Sequence, residues 1–78
     1  MQTIRITKNN GRDIVATVTT REQGVEAIAE AVAKAWDELS KADGGEEIPF
    51  RATFGDTNEG VVFNIGKRFP KVNITEYF

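Results

Sequence analysis

Thr20 to Ala42 reads TREQGVEAIAEAVAKAWDELSKA, and the periodicity of this stretch decides the fold. At about 100° per residue, Val25, Ile28, Ala29, Val32, Ala35, Trp36 and Leu39 gather on one side. Glu22, Glu26, Glu30, Lys34, Asp37, Glu38 and Lys41 gather on the other. The spacing predicts one long amphipathic helix with an apolar face that packs and a wet, mostly negative face. Thr20 is expected to cap its start, accepting from the backbone N–H three residues on, with Gln23 reaching back as in a capping box. Gly24 falls in the first turn of that helix, where glycine costs up to about 1 kcal/mol relative to alanine. Gly44 and Gly45 mark the stop, because a left-handed cap favours a residue without Cβ.

The segments on either side of the helix alternate with a period of two. Thr3 to Thr7 (TIRIT) places Ile4 and Ile6 inward, and Asn10-Gly11 supplies the residues that a type I′ hairpin turn needs at its centre. Asp13 to Thr19 is the returning strand, with Ile14, Ala16 and Val18 expected on one face and Val15, Thr17 and Thr19 on the other. After the helix, Glu47 to Phe54 turns Ile48, Phe50, Ala52 and Phe54 toward the core, and Pro49, which cannot donate to a ladder, either starts this strand at a sheet edge or delays its pairing until after Pro49. Gly55 to Gly60 is a polar turn, and Val61 to Ile65 is a fourth strand with Val61, Phe63 and Ile65 inward. Gly66 to Pro70 breaks the chain again, and Lys71 to Thr75 is a candidate fifth strand carrying Val72 and Ile74. The resulting fold class is α+β: a single amphipathic helix on a four- or five-stranded antiparallel sheet, in the order β-β-α-β-β(-β), forming one domain over residues 1–78.

Seventy-eight residues support one small core, and the 40% hydrophobic and 28% charged content is that of a globular domain. No apolar run of about 18 residues and no charged-then-apolar leader pattern occurs, so the chain is expected in the cytoplasm. There is no Cys and no His. These absences remove disulfides, thiolate nucleophiles, the commonest general base and the commonest transition-metal ligand, so neither an enzyme, a cofactor nor a metal site is expected. Asp56-Thr57-Asn58-Glu59 is rich in oxygen but lacks the spacing of a calcium loop.

The net charge of −2 conceals a segregation along the chain. Residues 22–47 contain Glu22, Glu26, Glu30, Asp37, Glu38, Asp43, Glu46 and Glu47 against only Lys34 and Lys41, whereas residues 1–21 and 48–78 are each net positive. Those eight acids are the candidate partner-binding residues. Glu22, Glu26 and Glu30 repeat at one helical turn, roughly 6 Å apart, a little more than half the charge density of a nucleic-acid strand. The row is therefore suited either to a basic groove on a partner or to nothing beyond solvation of a helix face. Lys67-Arg68-Phe69-Pro70-Lys71, together with Arg5, Lys8 and Arg12, forms the opposing basic set, an alternative route to nucleic acid. Self-association through a free strand edge or through Tyr77 and Phe78 is a third reading, with the chain a monomer or a weak dimer.

The hairpin at Asn9-Asn10-Gly11, the row Glu22, Glu26, Glu30 and the cluster Asp43 to Glu47 give the chain a character that resembles the small phage-encoded anti-CRISPR proteins acting on type I systems. That resemblance implies a non-enzymatic inhibitor, working in the host cytoplasm, that binds a subunit of a CRISPR surveillance complex. It would block target DNA binding or recruitment of the nuclease, without itself contacting nucleic acid or membrane.

Overall fold

A computed structural model describes residues 1–69 and 71–78. The fold is α+β, with two helices and five strands in the chain order β1 (Gln2–Lys8), β2 (Asp13–Thr20), α1 (Val25–Lys34), α2 (Trp36–Asp43), β3 (Phe50–Phe54), β4 (Gly60–Ile65) and β5 (Val72–Tyr77). The strands form one antiparallel sheet in the order β2-β1-β3-β4-β5. The first two strands make a hairpin, the helices cross back over it, and β3 enters beside β1. From there the chain meanders outward to β5, leaving β2 and β5 as the two edges.

Alternation in the strands gives the sheet one apolar face, and the ladder register stacks the inward residues. Ile4 lies between Val18 and Phe54, Ile6 between Ala16 and Ala52, and Phe50 opposite Phe63, which in turn faces Ile74. The Phe50 and Phe63 rings stack with centroids 5.6 Å apart, and both are fully buried. As the sequence indicates, β3 pairs only from Phe50, past Pro49, and the fifth strand is present. The hairpin turn has φ of 57° at Asn10 and 88° at Gly11, with Arg12 N–H donating to the Asn9 carbonyl at 3.3 Å, as a type I′ turn requires.

Four expectations are corrected. First, the long helix is two helices joined at Ala35, whose φ of −105° and ψ of 18° depart from the helical values on either side. Backbone hydrogen bonds continue through the bend, from Ala35 N–H to the Ala31 carbonyl and from Leu39 N–H to the Ala35 carbonyl. α1 lies over β2 and β1, and beyond the bend α2 stays against β2 and also reaches β4. No glycine or proline marks it. Second, the buried arc is rotated: Ala27, Ile28, Ala31, Val32, Ala35 and Leu39 are buried, while Val25 and Ala29 are exposed. Small side chains at Ala27 and Ala31 bring the helix axis close to the sheet. Trp36 is only half-buried and meets the edge of the exposed Phe69 ring at 5.2 Å. Third, Ile14 points to solvent, because a bulge between Ile6 and Thr7 opposite Val15 shifts the β2 register and inverts the alternation there.

Fourth, the helix begins later than its sequence suggests. Thr20 is the buried last residue of β2, and the N-cap of α1 is Gly24, with φ of 63° and ψ of −137° and no side-chain cap. That backbone conformation is accessible essentially to glycine alone. The sign of the expected glycine effect is thereby reversed. Gly24→Ala should destabilise the protein by about 1–3 kcal/mol in urea unfolding; equal or greater stability in the variant would contradict this cap geometry.

Candidate functional site

The eight acids lie on the helical layer and on the connections at its two ends, but they do not form one uniform row. Glu22 stands in the β2–α1 connection, Glu26 and Glu30 one turn apart on α1, and Asp37 and Glu38 in the first turn of α2. Asp43 ends α2, and Glu46 and Glu47 follow in the connection to β3. Summed along the two helices, the rise from Val25 to Asp43 is about 27 Å, in a molecule whose longest dimension is 30 Å. The acids therefore extend along the whole layer.

Two of them serve the fold. Asp43 is only 7% exposed, and its Oδ1 accepts the Ile48 N–H at 2.8 Å. This carboxylate stitches the end of α2 to the approach of β3 across a loop in which Gly44, Gly45 and Glu47 all have positive φ. The Glu47 carbonyl accepts from Asn64 Nδ2 at 2.6 Å, fixing the same loop to β4. A buried acid so engaged is not available to a partner, which removes Asp43 from the candidate set.

Glu30 is the second. The rotation that buries Ala27 and Ala31 carries Glu30 and Lys34 to the flank above edge strand β2. There Thr20 Oγ1 donates to Glu30 Oε2 at 2.7 Å and accepts the Glu22 N–H at 3.0 Å. Lys34 Nζ lies 3.0 Å from Glu30 Oε1 and also donates to the Thr19 carbonyl at 3.3 Å. The hydroxyl of Thr20 and then the Lys34 ammonium hold the Glu30 carboxyl below its ordinary pKa. The local pattern predicts Thr20 as a helix cap, whereas its side chain locks α1 to β2. Only its position ten residues before Glu30 hints at this, and that separation carries no local signal.

Glu22, Glu26, Asp37, Glu38, Glu46 and Glu47 are exposed. Glu22 borders a surface cleft of about 410 Å³ with Met1, Gln2, Arg21, Gln23 and Gly24. Glu47 borders a groove of about 250 Å³ between α2 and the end of β4, with Trp36, Asp43 and Lys67 among its walls. No group of three or more carboxylates is placed to hold a metal among the described residues. None of the described helices is long and apolar enough to cross a membrane.

The basic residues sort differently. Arg5 and Arg51 project from the sheet face opposite the helices, in register with Thr17, Thr53 and Val62. The Arg51 guanidinium lies 4.2 Å from the centroid of the Phe78 ring. That ring occupies the space above Gly60, where a Cβ would come within 2.8 Å of Phe78 Cζ and would collide with the Ala52 carbonyl. In the basic stretch 67–71, Lys67, Arg68, Phe69 and Lys71 are exposed, and Pro70 lies outside the described residues. No protein-family model, curated protein or solved structure matches the chain.

Because the folded state favours ionised Glu30, the stability that its contacts contribute is fully present above the usual glutamate range. It is lost as pH falls through the lowered folded value. In urea unfolding at stepped pH, wild type should therefore exceed Glu30→Gln by a constant margin at neutral pH, shrinking in acid. A margin independent of pH would rule out the ionised carboxylate as the source.

Proposed function

We propose that the chain is a non-enzymatic inhibitor whose helical layer binds a protein with a basic, nucleic-acid-handling surface. By resemblance to the anti-CRISPR proteins, the partner is a subunit of a type I surveillance complex in the host cytoplasm, and the consequence is loss of target DNA binding or of nuclease recruitment. The observation that carries this reading is the separation of charge by layer. Six exposed carboxylates stand along the helices and their end loops, while Arg5 and Arg51 stand on the opposite face of the sheet. Such a dipolar molecule approaches a cationic groove helix-first, with the acids providing steering and register. Exposed Val25 and half-buried Trp36 and Ile48 lie among them and supply apolar area. Glu26, Asp37 and Glu38 are the residues to reverse, since Glu30 and Asp43 are committed to the fold.

The test uses purified type I surveillance complexes and labelled target duplex. Wild-type protein should abolish the shifted DNA complex or the subsequent association of the nuclease. E26K/D37K/E38K, with unchanged circular dichroism, should lose at least about tenfold in inhibition, and raised salt should weaken wild type in the same direction. Undiminished inhibition by the triple variant would refute the acidic-layer interface. Failure of wild type to affect either step would refute the choice of partner.

A further inference from the structure

The two edges of the sheet differ in how they are closed. Hydrogen bonding fixes which backbone groups face outward. Gly55 N–H donates to the Thr3 carbonyl, so Thr3 and Arg5 bond toward β3, and their β2 partners Thr17 and Thr19 present N–H and C=O to the free edge. That edge is guarded: the Lys34 ammonium sits on the Thr19 carbonyl, and the bulge at Val15 breaks the repeat. On the other side, Gly66 N–H donates to the Lys71 carbonyl, so Asn73 bonds toward β4 while Val72 and Ile74 present their backbone groups outward. No side chain is hydrogen-bonded to those outward groups among the described residues, and neither Lys nor Pro interrupts Val72–Tyr77. The helices cover the sheet as far as β4, which leaves Val72 and Ile74 half-buried and Tyr77 68% exposed on the helix side of the overhang.

We infer that β5 is the interface for a second copy of this chain, pairing antiparallel with β5 of its partner about a two-fold axis at Asn73. This register follows from the outward groups. Val72 of one copy meets Ile74 of the other, and each copy donates two backbone hydrogen bonds, from Val72 and Ile74. The same alignment sets Val72 against Ile74 as apolar cross-strand pairs on the helix side. On the opposite side it brings Lys71 diagonally toward Glu76 of the second copy, twice by symmetry, so the edge is complementary to itself in both hydrophobicity and charge. The bulge at Thr75, between the pairs that Val62 and Phe63 make, ends the compatible run and keeps the contact short. The dimer is accordingly weak and small. Its axis, perpendicular to the sheet, leaves both helical layers on one side of a continuous ten-stranded sheet.

Sedimentation and cross-linking test this without reference to the inhibitory activity. Sedimentation velocity from about 10 μM to about 1 mM should show the mass rising from 8.6 kDa toward its double. Ile74→Lys, with retained circular dichroism, should remain monomeric throughout. Because the chain has no Cys, a single introduced thiol reports proximity cleanly. At Asn73 the two Cα atoms would lie about 4.5 Å apart, within the span of a disulfide. N73C should therefore form a disulfide dimer under mild oxidation, and T17C on the guarded edge should not. A wild-type chain that stays monomeric at the highest concentration, or equal cross-linking at both positions, would overturn the assignment.

Discussion

A sheet with one apolar face must be covered on that face, and in this chain the whole cover comes from nineteen residues between β2 and β3. Ile28, Val32 and Leu39 provide its bulk, and the sheet answers with Ile4, Ile6, Phe50 and Phe63, all fully buried or nearly so. In so small a domain each of these side chains is a large share of the core, so the helical layer has to sit close and follow the twist. Ala27 and Ala31 at the contact meet the first demand, and the bend at Ala35 meets the second.

The same packing decides what the acids can do. Once α1 turns Ala27 and Ala31 inward, Glu30 is carried over the end of β2, and Thr20 and Lys34 fix it there. Asp43 is drawn under the α2–β3 loop, where it satisfies the Ile48 amide. Acidity thus has two roles in this molecule. Two carboxylates join the helical layer to the sheet at opposite ends, and the remaining six give that layer its outward charge. Lys34 supports the first role twice, since it pairs with Glu30 and closes the β2 edge through the Thr19 carbonyl. The open side of the sheet, with Arg5, Arg51 and the Phe78 ring above Gly60, has the opposite sign.

Period-two alternation made the strands legible, including the inward set Phe50, Ala52, Val61, Phe63 and Ile65 and the delay imposed by Pro49. The period near 3.6 made the helical layer legible, and Gly44 marked its end correctly, with φ of 61°. What was not legible depends on tertiary geometry. Rotation of the helix by a fraction of a turn exchanges Ala29 for Ala27 without altering the periodicity. A bulge at Val15 reverses Ile14 with no glycine to announce it. A threonine before an acidic helix has the local pattern of a cap, and only the position of β2 beneath α1 shows that Thr20 reaches Glu30 instead. The acidic character of the layer was visible in the sequence; the division of that acidity between fold and surface was not.

The most direct measurement of that division is a set of urea unfolding curves at neutral pH for single neutral amide variants of all eight acids, with the slope checked for constancy. Asp43→Asn should lose about 1–3 kcal/mol, because the buried carboxylate that accepts the half-buried Ile48 N–H is replaced by a weaker, neutral acceptor. Glu30→Gln should fall measurably below wild type. Glu22, Glu26, Asp37, Glu38, Glu46 and Glu47 should each change by no more than about 0.5 kcal/mol, as exposed positions do. Comparable losses at all eight positions, or an unchanged Asp43→Asn, would contradict the separation of structural from surface carboxylates on which the functional reading is built.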